Sequence, residues 1–237
     1  MFFSEMTTKD ALKSTKQKIT GYQTEFLERM NAIEVDAHWF RRVFHTFAAS
    51  FLIYYLLPDE GWLFALKQCT IIGILLVLIV IEFYRIRGHI KKIRFFGLRG
   101  YEQRRPAGYL FFGTGTVLLF LFFPQQIVIP CLLCAAFIDP LMGEIRFHYG
   151  KYNAILAGFV ASLFFFSITW YRAEWWVIVI IAVVGGTVVT LSEAKKLPYI
   201  DDDFLIQILP AVLLLVIWQV FAGIGIDILP ATMILPL

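Results

Sequence analysis

The sequence predicts an all-α integral membrane protein: a polytopic transmembrane helical bundle of about seven spans, with an N-terminal amphipathic cytoplasmic helix. Three observations predict it. Of the 237 residues, 59% are hydrophobic and only 16% are charged, against about 25% charged in a soluble domain. The apolar residues fall in long blocks rather than in the alternation of a membrane β-barrel. The charged residues collect between those blocks, and the basic ones favour one side.

Residues 1–42 form a polar preface. Leu12, Ile19, Phe26 and Ile33 recur every seven residues, with Tyr22 and Met30 on nearly the same face. That period predicts an amphipathic helix. Thr7 followed by Asp10 resembles a capping box at its start. Lys9, Lys13, Lys16 and Lys18 occupy its first half, which suits a helix lying along the membrane or packed on its cytoplasmic face. A coiled coil is the weaker reading, because the pattern lasts under four heptads. The polar composition of the first forty residues argues against a cleavable signal peptide.

Seven apolar segments follow, over 43–57, 62–83, 107–123, 127–138, 153–171, 175–191 and 204–222. Several are shorter than the ~20 residues that a perpendicular helix needs. The shortest, 127–138, must either run on into the stretch from Asp139 to Lys151 or be partly re-entrant. Residues 223–237 are apolar but broken by Gly223, Gly225, Pro230 and Pro236, as in a half-helix or an interfacial tail. The GTG at 113–115 lies inside a span with no strand before it, so close helix packing explains it better than a nucleotide loop. Walker A and protein-kinase patterns are absent. Cys69, Cys131 and Cys134 all stand in apolar runs. The CxxC of Cys131 and Cys134 has no second pair to complete a zinc site, and all three read as small buried hydrophobes. Lys67 and Glu82, near the ends of the second segment, are long enough to snorkel to the interface.

Orientation follows from the basic residues. Arg41 and Arg42 precede the first span. Arg85, Arg87, Lys91, Lys92, Arg94, Arg99, Arg104 and Arg105 lie between the second and third spans. Arg146 and Lys151 follow the fourth, and Lys195 and Lys196 follow the sixth. The opposite connections, PDEG at 58–61, PQQ at 124–126 and YRAE at 171–174, are short. Seven spans with a cytoplasmic N-terminus and an external C-terminus satisfy this alternation.

On that topology every polar cluster faces the cytoplasm: Arg41–Arg42–His45, Glu102–Arg104–Arg105, Asp139–Lys151, and Glu193 with Asp201–Asp202–Asp203. Basic side chains neutralise phosphate oxygens. Carboxylates hold Mg²⁺, which binds through one or two of them plus the substrate's phosphates. Such a face suits a nucleotide with its metal, with a hydrophobic acceptor arriving from the bilayer.

Plainer readings stand beside each cluster. Asp139–Pro140 reads equally well as an N-cap followed by a first-turn proline. Against this, an ionisable group at the edge of an apolar run is costly and usually functional. Asp201–Asp203 serves as a capping loop or, because adjacent carboxylates repel unless a cation relieves them, as a metal site. Glu193 has Lys195 and Lys196 as ready partners, and Glu102 has Arg104 and Arg105. The basic loop alone is explained by the positive-inside rule and anionic lipid. His45 and His148, each a lone histidine, are more often packing residues than catalysts.

The order of these motifs resembles the polyprenol kinases: dolichol kinase, phytol kinase and the CTP-dependent diacylglycerol kinases, distant relatives of the CDP-diacylglycerol synthases. RRVFH at 41–45 resembles the family's basic-x-x-His opening of a membrane helix. YEQRRPAGYLFFGTG at 101–115 resembles its Glu-x-x-Arg stretch before a glycine-containing span. DPLMGEIRFHYGK at 139–151 resembles its Asp-centred stretch with following glycines and a basic residue. SEAKKLPYIDDDF at 192–204 resembles its late Glu followed by Asp-Asp-Asn. This chain departs from the family pattern at Met142, where a small residue is usual, and at Asp203, where Asn is frequent.

The resemblance implies phosphorylation of a dolichol- or polyprenol-like lipid alcohol at the cytoplasmic membrane face. CTP is the phosphoryl donor and Mg²⁺ the cofactor, with no nucleic-acid partner. It implies catalytic roles for Asp139, His45 and Glu102, and phosphate binding by Arg104, Arg105, Arg146 and Lys151. Metal would be held by Asp139, Glu193, Asp201 and Asp202. Either Asp139 or His45 takes the proton of the acceptor hydroxyl. Phe164, Phe165 and Phe166 either line a lipid groove or face lipid. A cytidylyltransferase making a CDP-activated lipid is the alternative reaction, and a transporter or a membrane adaptor the alternative class. The sequence leaves a homodimer open.

Overall fold

A computed structural model of the chain describes residues 42–88, 105–194 and 200–236. The expected amphipathic helix before Arg42, and the predicted site residues Glu102 and Arg104, lie outside the described residues. All the regular structure described is helical. Helix α1 covers 42–48 and tightens into a 3-10 segment, Ala49–Leu56. It is followed by α2 (Gly61–Ile86), α3 (Gly108–Phe122), α4 (Gln125–Thr169), α5 (Trp175–Ala194) and α6 (Asp202–Gly223). Four of these, α2, α4, α5 and α6, are long and apolar enough to cross a membrane. This is the build of a helical membrane protein.

The helix boundaries have local causes. Leu57 precedes Pro58 and Phe123 precedes Pro124, and both are extended, because proline excludes the helical conformation from the residue before it. Helix α2 ends with Gly88 in the left-handed region (φ 76°), its N–H donated to the Arg85 carbonyl at 3.0 Å. This is the glycine-terminated helix end that other residues rarely make.

Helix α4 is two antiparallel arms, 125–149 and 151–169, joined at Gly150, whose φ of 84° and ψ of 173° are not helical. The shortest apolar segment thus runs on through the polar stretch rather than re-entering. The arms close on each other along their length. Phe137 stacks on Phe165 with centroids 5.7 Å apart, and Met142 packs on Gly158. Trp170, just beyond the second arm, donates its indole N–H to the Gln126 carbonyl at 2.9 Å. That last bond answers a local defect. Pro130 has no N–H for the carbonyl four residues earlier, which is that of Gln126.

Helix α5 returns along the second arm, with Gly185 against the ring of the fully buried Phe166. Helix α6 packs on α3, α4 and α5. Its buried Gln207 donates to the Phe112 carbonyl at 3.3 Å and accepts from Thr116 Oγ1 at 3.2 Å. Gly115 lies directly against the Gln207 side chain and Gly113 against Leu78, so the GTG serves packing on both sides of α3. After Gly225 (φ 81°) the tail folds back over the start of α4. Gln126 donates to the Pro230 carbonyl at 2.8 Å, and Gln125 exchanges two 3.1 Å bonds with the backbone of Ile234.

Several expectations change here. Asp139 and Pro140 lie in the interior of a helical arm, so Asp139 does not cap a helix start. Lys67 and Glu82 do not snorkel; both are buried. Lys67 pairs with Asp59 and lies 4.6 Å over the Tyr54 ring. Glu82 accepts from Arg85 at 2.7 and 2.6 Å, from Ala107 N at 2.7 Å and from the Tyr109 hydroxyl. Apolar surroundings make full pairing cheaper for it than reaching for water. Cys131 and Cys134 are buried as expected, whereas Cys69 is exposed on the outer surface of α2. Phe166 is fully buried while Phe164 is exposed, so the three phenylalanines are not one surface.

Candidate metal centre

Four helices bring acidic and imidazole side chains together at one end of the bundle. Helix α1 supplies His45, the first arm of α4 supplies Asp139 and Arg146, the end of α5 supplies Glu193, and the start of α6 supplies Asp202 and Asp203.

Helix α6 opens with Asp201 as its N-cap, whose side chain accepts from Asp203 N at 3.4 Å. Asp202 and Asp203 fill its first turn, where the helix dipole favours negative charge. Successive helical residues point ~100° apart, so the two carboxylates meet different partners on α1, α4 and α5 while staying within 4.8 Å of each other. Asp202 joins Asp139 and Glu193, Asp203 joins His45 and Asp139, and the predicted Asp201 forms a third trio with Asp202 and Asp203. Each trio offers ligand atoms lying within 4.8 Å of one another. His45 Nε2 is 3.7 Å from Asp139 Oδ2 and 3.5 Å from Asp203 Oδ1. The imidazole is held edge-to-face against Phe112 of α3, centroids 5.2 Å apart.

The cluster is secluded. His45 is 3% exposed, Glu193 and Asp203 2%, and Asp202 5%. Arg146 donates to Glu193 Oε1 at 2.9 Å, so Glu193 takes a partner from α4; Lys195 and Lys196 lie outside the described residues. Its other oxygen, Oε2, is buried with no hydrogen bond among the described residues. Buried carboxylates crowded together repel one another unless a cation intervenes. The donors fit a divalent ion: aspartate and glutamate oxygens suit Mg²⁺, and an imidazole adds capacity for softer metals.

The other predicted residues fall elsewhere. Arg105 is exposed, and its carbonyl accepts from Arg85 Nη2 at 2.6 Å. Lys151 is exposed just past the Gly150 corner. His148 is exposed and pairs with Glu144 at 2.9 Å, and Glu144 also pairs with Arg42, tying α1 to α4. Of the described residues expected to bind phosphate, Arg146 is joined to the cluster, through Glu193. Asp203 was missed. The signal that could have found it is its place in the first turn of α6, one position past a candidate ligand.

Compared with known protein families, curated proteins and solved structures, the chain matches none.

Proposed function

We propose that the protein is a Mg²⁺-dependent membrane phosphotransferase that moves the γ-phosphoryl group of CTP to a lipid alcohol of the dolichol or polyprenol kind. The observation that carries the reading is the secluded cluster of Asp139, Glu193, Asp202, Asp203 and His45 at the end of an apolar bundle. The choice of CTP and of the lipid alcohol rests on the resemblance of the four motifs to the polyprenol kinases. Seven spans, with the N-terminus and the cluster on the cytoplasmic side of the cell membrane or, in a eukaryote, the endoplasmic reticulum, complete the proposal.

Asp139, Glu193 and Asp202 would hold Mg²⁺, with Asp201 capping the helix that presents them. The ion would offset charge on the nucleotide's phosphates. Phosphoryl transfer asks the protein mainly for positioning and charge neutralisation. The acceptor oxygen attacks the γ-phosphorus, the new O–P bond forms as the bond to the β-phosphate oxygen breaks, and the nucleoside diphosphate leaves. The hydroxyl proton passes to Asp139 or His45. Arg146 sets the Glu193 carboxylate. Glu102, Arg104, Arg105 and Lys151 keep the orienting and phosphate-binding roles that the motifs imply.

Labelled nucleotide tests the reaction. With purified protein, Mg²⁺ and a panel of lipid alcohols, label from [γ-³²P]CTP is expected in the lipid and label from [α-³²P]CTP is not. Lipid labelled only from the α position would replace the kinase with a cytidylyltransferase.

A further inference from the structure

We infer that Glu82 and Arg85 of α2 are positioning residues for nucleotide binding: together they fix the backbone of residues 105–107, and so the direction from which the Arg105 side chain meets the nucleotide's phosphates. The inference rests on the phosphate-binding role proposed for Arg105 above, yet nucleotide binding can be measured apart from any transfer reaction.

Glu82 is a buried carboxylate in a helix long and apolar enough to cross a membrane, a placement that is costly unless its oxygens are paired. Arg85 holds both oxygens, Nε to Oε2 at 2.7 Å and Nη2 to Oε1 at 2.6 Å. Such a fork fixes orientation as well as charge. The pair then reaches the entry of α3 at three points. Arg85 Nη2 donates to the Arg105 carbonyl at 2.6 Å, the Ala107 N–H donates to Glu82 Oε1 at 2.7 Å, and the Tyr109 hydroxyl donates to Glu82 Oε2. Between the first two points stands Pro106, whose ring fixes its own φ and restricts Arg105 before it. The backbone that carries Arg105 is thus held on both sides of a stiff residue.

A staple between two helices would need less. The bonds from Ala107 and Tyr109 to Glu82 already join α2 to α3. The Arg85 bond goes further, to a carbonyl two residues ahead of the Ala107 cap. The start of α3 also lies at the end of the bundle that holds the carboxylate centre. Phe111 meets Phe204, the residue after Asp203, with centroids 6.5 Å apart, and Phe112 packs on the His45 imidazole. Five residues of helix separate Ala107 from Phe112, ~8 Å of rise. Arg105, exposed at that end, is therefore on the side from which a nucleotide would reach the metal. Glu82 and Arg85 carry opposite charges and add no net charge there; they set where the charge of Arg105 lies.

The test is binding of [α-³²P]CTP with Mg²⁺ to the full-length protein in detergent, by equilibrium dialysis without lipid alcohol. Glu82→Gln and Arg105→Gln are each expected to weaken CTP about tenfold, as loss of one charge-assisted contact does. Because Glu82 acts through Arg105, the double variant should be no more than about twofold weaker than the weaker single one. Mn²⁺ binding without nucleotide should match the wild type in all three, which a general loosening of the bundle would not leave intact. CTP affinity unchanged in a folded Glu82→Gln, losses that multiply in the double variant, or Mn²⁺ affinity falling along with CTP affinity overturns the inference. If Glu82→Gln does not fold, Arg85→Lys takes its place with the same expectations, since lysine keeps the charge and loses the fork. CTP bound as expected with no lipid phosphorylated would sink the transfer reaction and leave the positioning pair standing. Lipid phosphorylated, with CTP affinity indifferent to Glu82→Gln, would do the reverse, and a wild type that binds no CTP overturns both.

Discussion

Arg146 and Glu193 form the ion pair on which the buried centre leans, and it is unequal. Glu193 is 2% exposed while the Arg146 side chain is 34% exposed. Removing the exposed partner strands the buried one. Arg146→Gln is therefore expected to cost about 1–3 kcal/mol of stability, the penalty for a buried group left without its partner. The double variant Arg146→Gln/Glu193→Gln should recover most of that loss in a thermal melt. If the double variant is no more stable than Arg146→Gln alone, the pair is not what holds this end together. Asp139→Asn and Asp202→Asn each remove a proposed metal oxygen and should lower Mg²⁺-supported activity at least 100-fold while leaving the melt nearly unchanged. At this scale the sequence was half legible. Asp139, Glu193 and Asp202 stood out because charge beside an apolar run needs a reason. The meeting of His45 with Asp203 did not, since it depends on how two distant helices rotate about their axes. Nor did the arginine partner of Glu193, because nearby lysines offered a simpler match.

The helices pack through small residues, and the cost of enlarging them depends on what they touch. A Cβ on Gly185 would come within 2.7 Å of the rigid, fully buried Phe166 ring. Gly185→Ala should destabilise by about 1–3 kcal/mol, as overpacking does. Gly158→Ala presses on the flexible Met142 side chain, with Ile138 at ordinary contact distance, and should cost less. Equal melts for the two variants would contradict the packing described. The bond from Trp170 to the Gln126 carbonyl gives a second test. Trp170→Phe leaves that carbonyl without a partner, a loss of about 1–3 kcal/mol. Adding Pro130→Ala, which restores a backbone N–H, should reduce the loss; an additive double variant would contradict it. The same bond bears on how interior prolines read in sequence. Proline inside an apolar run suggests a boundary from sequence alone, and Asp139–Pro140 looked like one. A helix tolerates an interior proline when a side chain from elsewhere meets the freed carbonyl, as at Pro130. The continuation of 127–138 to the Gly150 corner was legible as one of two options, because a segment that short cannot span alone.

At the scale of the molecule, the membrane character followed directly from the block pattern of apolar residues. Burial does not explain α2, which is almost wholly exposed along its apolar window, and lipid does. The polar centre lies among the ends of α5 and α6, while the tail covers the opposite end through Gln125 and Gln126. That arrangement sets the centre at one end of the bundle, where the proposed phosphorylation from a cytoplasmic nucleotide would need it. The cytoplasmic side proposed for it rests on the basic loops of the sequence, much of whose length lies outside the described residues. In the proposed function the carboxylate centre drives phosphoryl transfer to a lipid alcohol. It is tested most directly by γ-label incorporation into a polyprenol from CTP, measured with and without Mg²⁺ for wild type and Asp139→Asn. The account predicts labelled lipid only for the wild type with Mg²⁺, with at least a 100-fold loss in Asp139→Asn. Full labelling by Asp139→Asn, or none by the wild type with any alcohol in the panel, would contradict it.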